Sequence, residues 1–409
     1  LEKLACGRFC AGLSLAGTLR ANLRSAKFAP ANLSDNACVA AGKRRGFCRL
    51  RRGIAMVNET ILSGWRERIL VAAAAHAPLR LRGAGTKDFY GESLAGEVLD
   101  LSGWRGIVDY EPSELVITAR CGTPLSELEA ALAAHRQFLA FEPPAFGADP
   151  TIGGAIAAGL SGPRRMYAGA ARDFVLGTRL LSAEGELLRF GGQVMKNVAG
   201  FDVSRLLCGS LGTLGVITEV SLKVLPRPRL EQTLQLELPA GTAVECFNRW
   251  AAQPLPLSGA AWHEGSAWVR LSGAPSAVHA ARARIGGELL AEAAAQDHWD
   301  RLRHCQHPFF AADMLWRLSV PPAAPSLALG GESLIDWGGA VRWYANPPAD
   351  SAVREAATAV GGTALCWRGA APGQRFHPLQ PAIARLHQRL KERFDPHGIF
   401  NPGRLVAGM

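Results

Sequence analysis

The chain has 409 residues, 48% of them hydrophobic, and a formal net charge of +10. That length supports two or three domains with real cores, and no apolar run approaches the ~18 to 20 residues of a membrane span. The charge is not spread evenly: residues 1–55 hold eleven Lys/Arg against two Asp/Glu, which leaves 34 basic and 33 acidic residues from Met56 onward. The body is therefore nearly neutral, which argues against a nucleic-acid footprint on a folded face.

The basic segment starts with Leu1, carries Cys6, Cys10, Cys38 and Cys48, and ends in KRRGFCRLRRGIA. It reads as a targeting peptide, as an RNA- or membrane-binding arm, or as upstream sequence with Met56 as the true first residue. The third is the expectation, because a helix start follows Met56. The other cysteines, Cys121, Cys208, Cys246, Cys305 and Cys366, are isolated. That pattern predicts reduced thiols in a cytoplasmic protein, with no iron–sulfur cluster and no structural zinc.

From Asn58 or Thr60 a helix is expected through the mid-70s, since Ile61, Trp65 and Ile69 recur at spacing four and Pro78 stops the run. Strands follow at 78–83, 97–101, 106–110 and 114–121. A helix opens at Pro124. Residues 174–182 and 186–190 form a hairpin around Ala-Glu-Gly, a short helix covers Val203–Cys208, and a strand covers 216–225. PRPR (226–229) marks a domain boundary, because proline cannot continue a central strand. Beyond it lie strands at 267–273 and 341–345 and a loop at 369–374. Leu379, Ile383, Leu386, Leu390 and Phe394 give a final helix one apolar face, before the turn-rich DPHGIFNPGR. The expected divisions are 1–55, 56–228, 229–390 and 391–409.

RGAGTK (82–87), TIGGAIAAG (151–159) and GSLGTLG (209–215) are glycine-rich. Successive backbone N–H groups bind a diphosphate well, and glycine allows close approach. Each cluster alone is weak. RGAGTK is too short for a P-loop, and GSLGTLG lacks the G-x-G-x-x-G fingerprint. Either could be only a tight turn or close packing.

In combination and order, these clusters with the terminal NPG resemble the FAD-binding flavoproteins of the p-cresol methylhydroxylase and vanillyl-alcohol oxidase type, over Met56 to Met409. EPSELVITARCGTPLSELEAAL (111–132), GPRRMYAGAARDFVLGTRLLSAEGELLRFGGQVMKNVAGFDVSRL (162–206) and SLIDWGGAVRW (333–343) look like the FAD-binding subunits of bacterial glycolate oxidases. The resemblance implies an α+β fold: a two-subdomain FAD-binding domain, a smaller α+β cap-like domain, and a tail returning to the flavin. It implies that Arg82, Gly83, Ala84, Gly85, Thr86 and Lys87 form the first diphosphate loop. Asp149, Thr151, Ile152, Gly153, Gly154 and Ala157 would form the second. Gly169, Arg172 and Asp173 would lie along the ribityl–diphosphate region, Gly215, Val216 and Ile217 by the flavin or adenine, and Asn401 at the ring. Lys196 and Asn197 are further polar candidates.

The family's covalent flavin link uses a histidine in the first loop. RGAGTKDFYGE (82–92) has neither His nor Cys, so noncovalent FAD is expected. The metal-binding H-x-G-D-G-N-x-H of catalytic relatives is absent. His298, His304 and His307 read as surface or helix-end residues, so no metal site is expected. Arg317 and Arg342, beside tryptophans, could grip a carboxylate, but no catalytic residue is assigned. The resemblance implies oxidation of glycolate to glyoxylate within a complex: a sister FAD subunit with the metal-dependent site, an iron–sulfur subunit taking electrons onward, and membrane association only through partners. A self-sufficient 2-hydroxy-acid oxidase and a scaffold or electron-relay subunit remain alternatives. Arg164 and Arg165 in GPRR are expected to contact a partner subunit rather than the cofactor.

Overall fold

The computed structural model describes residues 45–193, 202–347, 350–369 and 374–406; Lys196, Asn197 and the segment up to Arg44 lie outside them. The first helix spans Arg45–Ala75, so neither Asn58 nor Thr60 starts it, and it runs through the expected boundary at 55/56. No proline interrupts that stretch, so nothing in the sequence breaks the ladder before Pro78. Trp65, Ile69, Ala72 and Ala73 form its buried stripe, at the 3–4 spacing of one helical face.

That stripe covers a small parallel pair, Leu79–Arg82 with Glu97–Asp100. Leu79, Leu99, Trp104, Val216, Ile399 and Phe400 complete the core beneath it. The second subdomain is an antiparallel sheet with strand order Ile107–Glu111, Val116–Arg120, Val216–Lys223, Val175–Leu181, Leu187–Gly191. Helices Leu125–Ala133 and Ile152–Ala158 cover it through Leu128, Leu132, Ile152 and Ile156. The hairpin between Leu181 and Leu187 forms as the Ala-Glu-Gly turn predicts.

Beyond the prolines the chain builds the cap-like domain. Leu225–Pro226 pairs with Gln137–Phe138 at the FAD-domain edge. Leu230–Glu237 then enters a new sheet, which contains eight strands among the described residues. Strand Val341–Ala345 is buried at every position, including Arg342, whose guanidinium is met by backbone carbonyls. Tyr90, Phe146 and Leu160 of the FAD-binding half pack onto the aromatic core of this sheet, with Phe310, Trp337, Trp343 and Trp367.

The last helix spans Pro381–Phe394, across the expected boundary at 390/391. Its apolar stripe is buried only at the C-terminal end: Phe394 and Leu390 join the core of the five-stranded antiparallel sheet, while Ile383 and Leu386 stay 44% and 50% exposed. Lys391 donates from Nζ to Asp395 Oδ2 at 2.6 Å, to the Thr213 carbonyl at 2.9 Å and to the Phe400 carbonyl at 2.7 Å. Asp395 also accepts from the N–H groups of Ile399 and Phe400. This buried pair turns the chain sharply and lays the tail beside the first strand, where Leu79 and Phe400 bridge. Removing one partner of a buried, saturated ion pair strands the other charge and costs about 3–5 kcal/mol. Lys391→Met is expected to lose that much in denaturant unfolding, and adding Asp395→Asn is expected to recover part of it.

Candidate functional site

Four segments far apart in sequence meet at the end of the first strand. Leu81 N–H donates to Asn401 Oδ1 at 2.8 Å, and Asn401 Nδ2 donates to the Leu211 carbonyl at 2.7 Å. Leu211 N–H reaches the Ala157 carbonyl and Gly209 N–H the Ile156 carbonyl. The RGAGTK loop, the TIGGAIAAG helix, the GSLGTLG turn and the NPGR tail thus form one unit. Between them lie two adjoining cavities of about 90 and 70 Å³. They form a slot lined by residues of all four segments.

Backbone proximity requires the small residues. A Cβ on Gly83 would lie 2.4 Å from Thr151 Oγ1, and one on Gly159 2.9 Å from the Gly209 Cα. Thr151 caps the helix Ile152–Ala158, its Oγ1 accepting from Gly154 N–H at 3.2 Å. Gly85 adopts φ +75°, a conformation that favours glycine.

Of the expected residues, Arg82, Gly83, Ala84, Gly85, Thr86, Lys87, Thr151, Gly153, Gly154, Ala157, Gly215, Ile217 and Asn401 line the slot. The others do not. Ile152 and Val216 are core residues. Asp149 Oδ1 accepts from Ser126 Oγ. Gly169 ends the short helix Arg165–Ala168, Asp173 Oδ2 accepts the Ala170 N–H at the start of the next short helix, Ala171–Phe174, and Arg172 is exposed beside it. The expectation missed Arg404, Leu211 and Cys121. Arg404 donates to the carbonyls of Lys87, Asp88 and Tyr90, which fixes the loop carrying Lys87. Its position directly after NPG was the available signal.

The slot's charged lining is Arg82, Lys87 and Arg404 with Asp88. Lys87 Nζ is buried with no hydrogen-bond partner, and burial pushes its pKa down to about 8. An ammonium held so is stabilised by an adjacent anion, which is the chemistry of a diphosphate. The Cys121 thiol at the other end is pushed up to about 12 by burial, so it is a poor nucleophile.

The arginine pair of GPRR divides. Arg164 is buried, with Nε 3.2 Å from Glu142 Oε1 and Nη2 2.6 Å from Glu231 Oε2, and it also donates to Ser272 Oγ. Burial opposes its charge, but Glu142 and Glu231 outweigh burial and raise its pKa. Arg270 of the cap domain shares Glu142 at 3.0 Å. Arg164 is therefore a strut between the two halves of this chain, which corrects the expectation that it faces a partner. Arg165 instead stacks on Trp337, 4.3 Å from the ring centroid. The histidines do separate jobs: His304 Nδ1 accepts the Ala145 N–H, His307 Nδ1 the Phe309 N–H, and His298 stacks on Trp268. Arg342 is spent on the carbonyls of Ala324, Pro325 and Gly339. His263, Glu264 and Glu332 bring ligand-type atoms within 4.8 Å of one another at the cap hairpin; there His263 Nε2 and Glu332 Oε1 share a 2.6 Å hydrogen bond.

Two predictions follow from these charges. Arg164→Ala leaves Glu142 and Glu231 without a principal partner, so the isolated chain is expected to unfold about 2–4 kcal/mol more easily, by denaturant titration without any partner subunit. For Lys87, a bound anion raises the ammonium pKa, so binding takes up a proton once the pH passes about 8. FAD affinity is then expected to be flat below that pH and to fall by up to about tenfold per pH unit above it. Lys87→Met should bind more weakly at pH 7 and lack this pH dependence, read by flavin fluorescence titration.

Comparison with known proteins agrees with the geometry. A family model described as an FAD binding domain matches residues 66–191. A solved alkyldihydroxyacetonephosphate synthase shares the fold at a TM-score of 0.59 and 15% identity, covering 82% of this chain and 73% of that one. The glycolate oxidase subunit GlcD of Bacillus subtilis is 34% identical over 170 residues, which is 41% of this chain and 36% of that protein. A D-lactate dehydrogenase of Archaeoglobus fulgidus is 31% identical over 183 residues, 44% of this chain and 41% of that one. The glycolate oxidase subunit GlcE of Escherichia coli is 48% identical over 342 residues, 83% of this chain and 96% of that protein. With an FAD-binding domain at its N-terminal side and that extent of identity, the chain belongs to the GlcE family of glycolate oxidase subunits.

Proposed function

We propose that this chain is the FAD-binding subunit of a glycolate oxidase complex, which oxidises glycolate to glyoxylate and passes the electrons to partner subunits. The observation that carries this is the convergence of four backbone segments and the unpaired Lys87 in a chain that aligns with nearly all of GlcE. The residues fit FAD. The Gly83–Thr86 and Gly153–Gly154 segments would hold the diphosphate by backbone N–H groups, and Lys87 would neutralise it. Bound FAD supplies a two-electron acceptor. The chain's own part is to bind and orient it, and Phe89, Phe146 and Trp367 stack edge to face beside the loop. The attachment is noncovalent, because Cys121 is the slot's one thiol among the described residues and is protonated at neutral pH.

Likeness to both GlcE and GlcD supports a multi-subunit assembly. In our reading the sister subunit carries the metal-dependent site, since H-x-G-D-G-N-x-H does not occur in this sequence. A third, iron–sulfur subunit takes the electrons onward.

Acid precipitation should release all flavin to the supernatant. Under anaerobic conditions glycolate should leave the isolated FAD-loaded chain yellow and should bleach it in the presence of the sister and iron–sulfur subunits. Bleaching of the chain alone would show a self-sufficient oxidase. A complex in which only the sister's flavin bleaches would show a scaffold.

A further inference from the structure

In the cap domain, strands Leu257–His263 and Ser266–Gly273 form a hairpin that turns through only Glu264 and Gly265. Both turn residues have positive φ, +45° and +85°, as a two-residue turn of this twist requires. Asn, Asp or Gly is favoured at the first of these places, and here it is Glu. On the other edge of Leu257–His263 lies strand Glu332–Asp336, paired so that His263 faces Leu334. Glu332, at the start of that strand, is thereby brought back to the hairpin turn.

Three ligand-type side chains converge there. His263 Nε2 and Glu332 Oε1 are 2.6 Å apart, and the ligand atoms of His263, Glu264 and Glu332 all lie within 4.8 Å of one another. Small side-chain rotations would set all three at the ~2.0–2.2 Å of a metal bond. His263 is 8% exposed, its ring fixed edge-on against His307 and Phe309. Both glutamates are exposed, which gives an ion a path from solvent. The hydrogen bond between His263 and Glu332 accounts for two of these residues and leaves Glu264, in its unfavoured turn position, without a partner role.

The charges have the sign a cation needs. Among the described residues, neither glutamate has a lysine or arginine within ion-pair distance. Like carboxylates held this close oppose each other's ionisation, and a divalent ion removes that opposition. Burial first, and then the charge of His263, holds the His307 pKa below its ordinary value, against the pull of Glu332 and Glu264. His307 therefore brings no compensating charge at neutral pH. Arg301, which also acts on His307, is itself paired with Asp297 at 2.8 Å.

We infer that His263, Glu264 and Glu332 form a binding site for a divalent transition metal, with zinc the best fit, and that the ion ties the hairpin turn to strand Glu332–Asp336. One imidazole with two carboxylates suits zinc, whereas magnesium and calcium take oxygen donors. None of the three residues lines the cofactor slot. The inference thus goes beyond the function proposed above and requires no part in the oxidation.

The test uses the FAD-loaded full chain, purified without a histidine tag and stripped of metal. Zinc and magnesium are titrated separately, with bound metal measured by equilibrium dialysis and stability by thermal unfolding. Zinc should bind saturably and raise the unfolding temperature, and magnesium should do neither. Glu264→Asn removes a ligand but eases the turn. Without metal it should therefore unfold at or above the parent's temperature, and it should bind zinc at least about tenfold more weakly. His263→Gln should weaken zinc by a similar factor, and Glu245→Gln, on an exposed helix face, should match the parent. FAD content should be unchanged in all three. Cobalt(II) in place of zinc should show ligation by nitrogen and oxygen alone. Failure of the parent to bind zinc would overturn the proposal. So would unchanged zinc affinity in Glu264→Asn, or a thiolate charge-transfer band with cobalt, which would put the metal on cysteines. If His263→Gln does not fold, Glu264→Asn carries the test. The bleaching experiment with partner subunits reports on the proposed function independently of this result.

Discussion

The buried pair of Lys391 and Asp395 holds the rest of the site in place. Its three lysine bonds and three carboxylate contacts leave no charge unmet, which is the condition under which a buried pair is tolerated. Its consequence is directional. The pair ends the last helix, reverses the chain, and sets Ile399 and Phe400 into the same core as Trp65 and Ile69. Only then can Asn401 reach both Leu81 and Leu211. Thus the glycine loops depend on a contact made by the far end of the chain.

A second set of charges governs how the cap domain sits. Arg164 and Arg270 share Glu142 and Glu231, and Arg303 bridges Glu129 and the Pro143 carbonyl. These contacts cross from one half to the other. They keep a polar interface in register, while the aromatic packing of Tyr90, Phe146 and Trp367 supplies the apolar burial. Specificity of orientation and strength of association thus come from different residues.

Much of this was legible in sequence, for identifiable reasons. The strands and short helices of the FAD-binding half were read from periodicity and turn residues because each is a local pattern. The three glycine clusters were found because glycine's backbone freedom marks close approach. What sequence did not show was long-range. Asn58 looked like a helix start because it is a capping residue type, but the helix already begins at Arg45. Arg164 looked like a partner contact because nothing local indicates that Glu142 and Glu231, 22 and 67 residues away, would enclose it. Ile383 and Leu386 predicted a buried face, but the core they should meet ends at Leu390. Ile152 and Val216, assigned to the cofactor region by resemblance, are buried in the two hydrophobic cores of the FAD-binding half.

The central claim is that the tail closes the cofactor slot through Asn401. Its most direct measurement is the FAD dissociation constant of Asn401→Ala, taken alongside its circular dichroism and thermal unfolding. The account predicts a folded protein that binds FAD at least about tenfold more weakly, since two buried backbone groups, Leu81 N–H and the Leu211 carbonyl, lose their shared partner. A folded Asn401→Ala variant that binds FAD as tightly as the parent chain would contradict it.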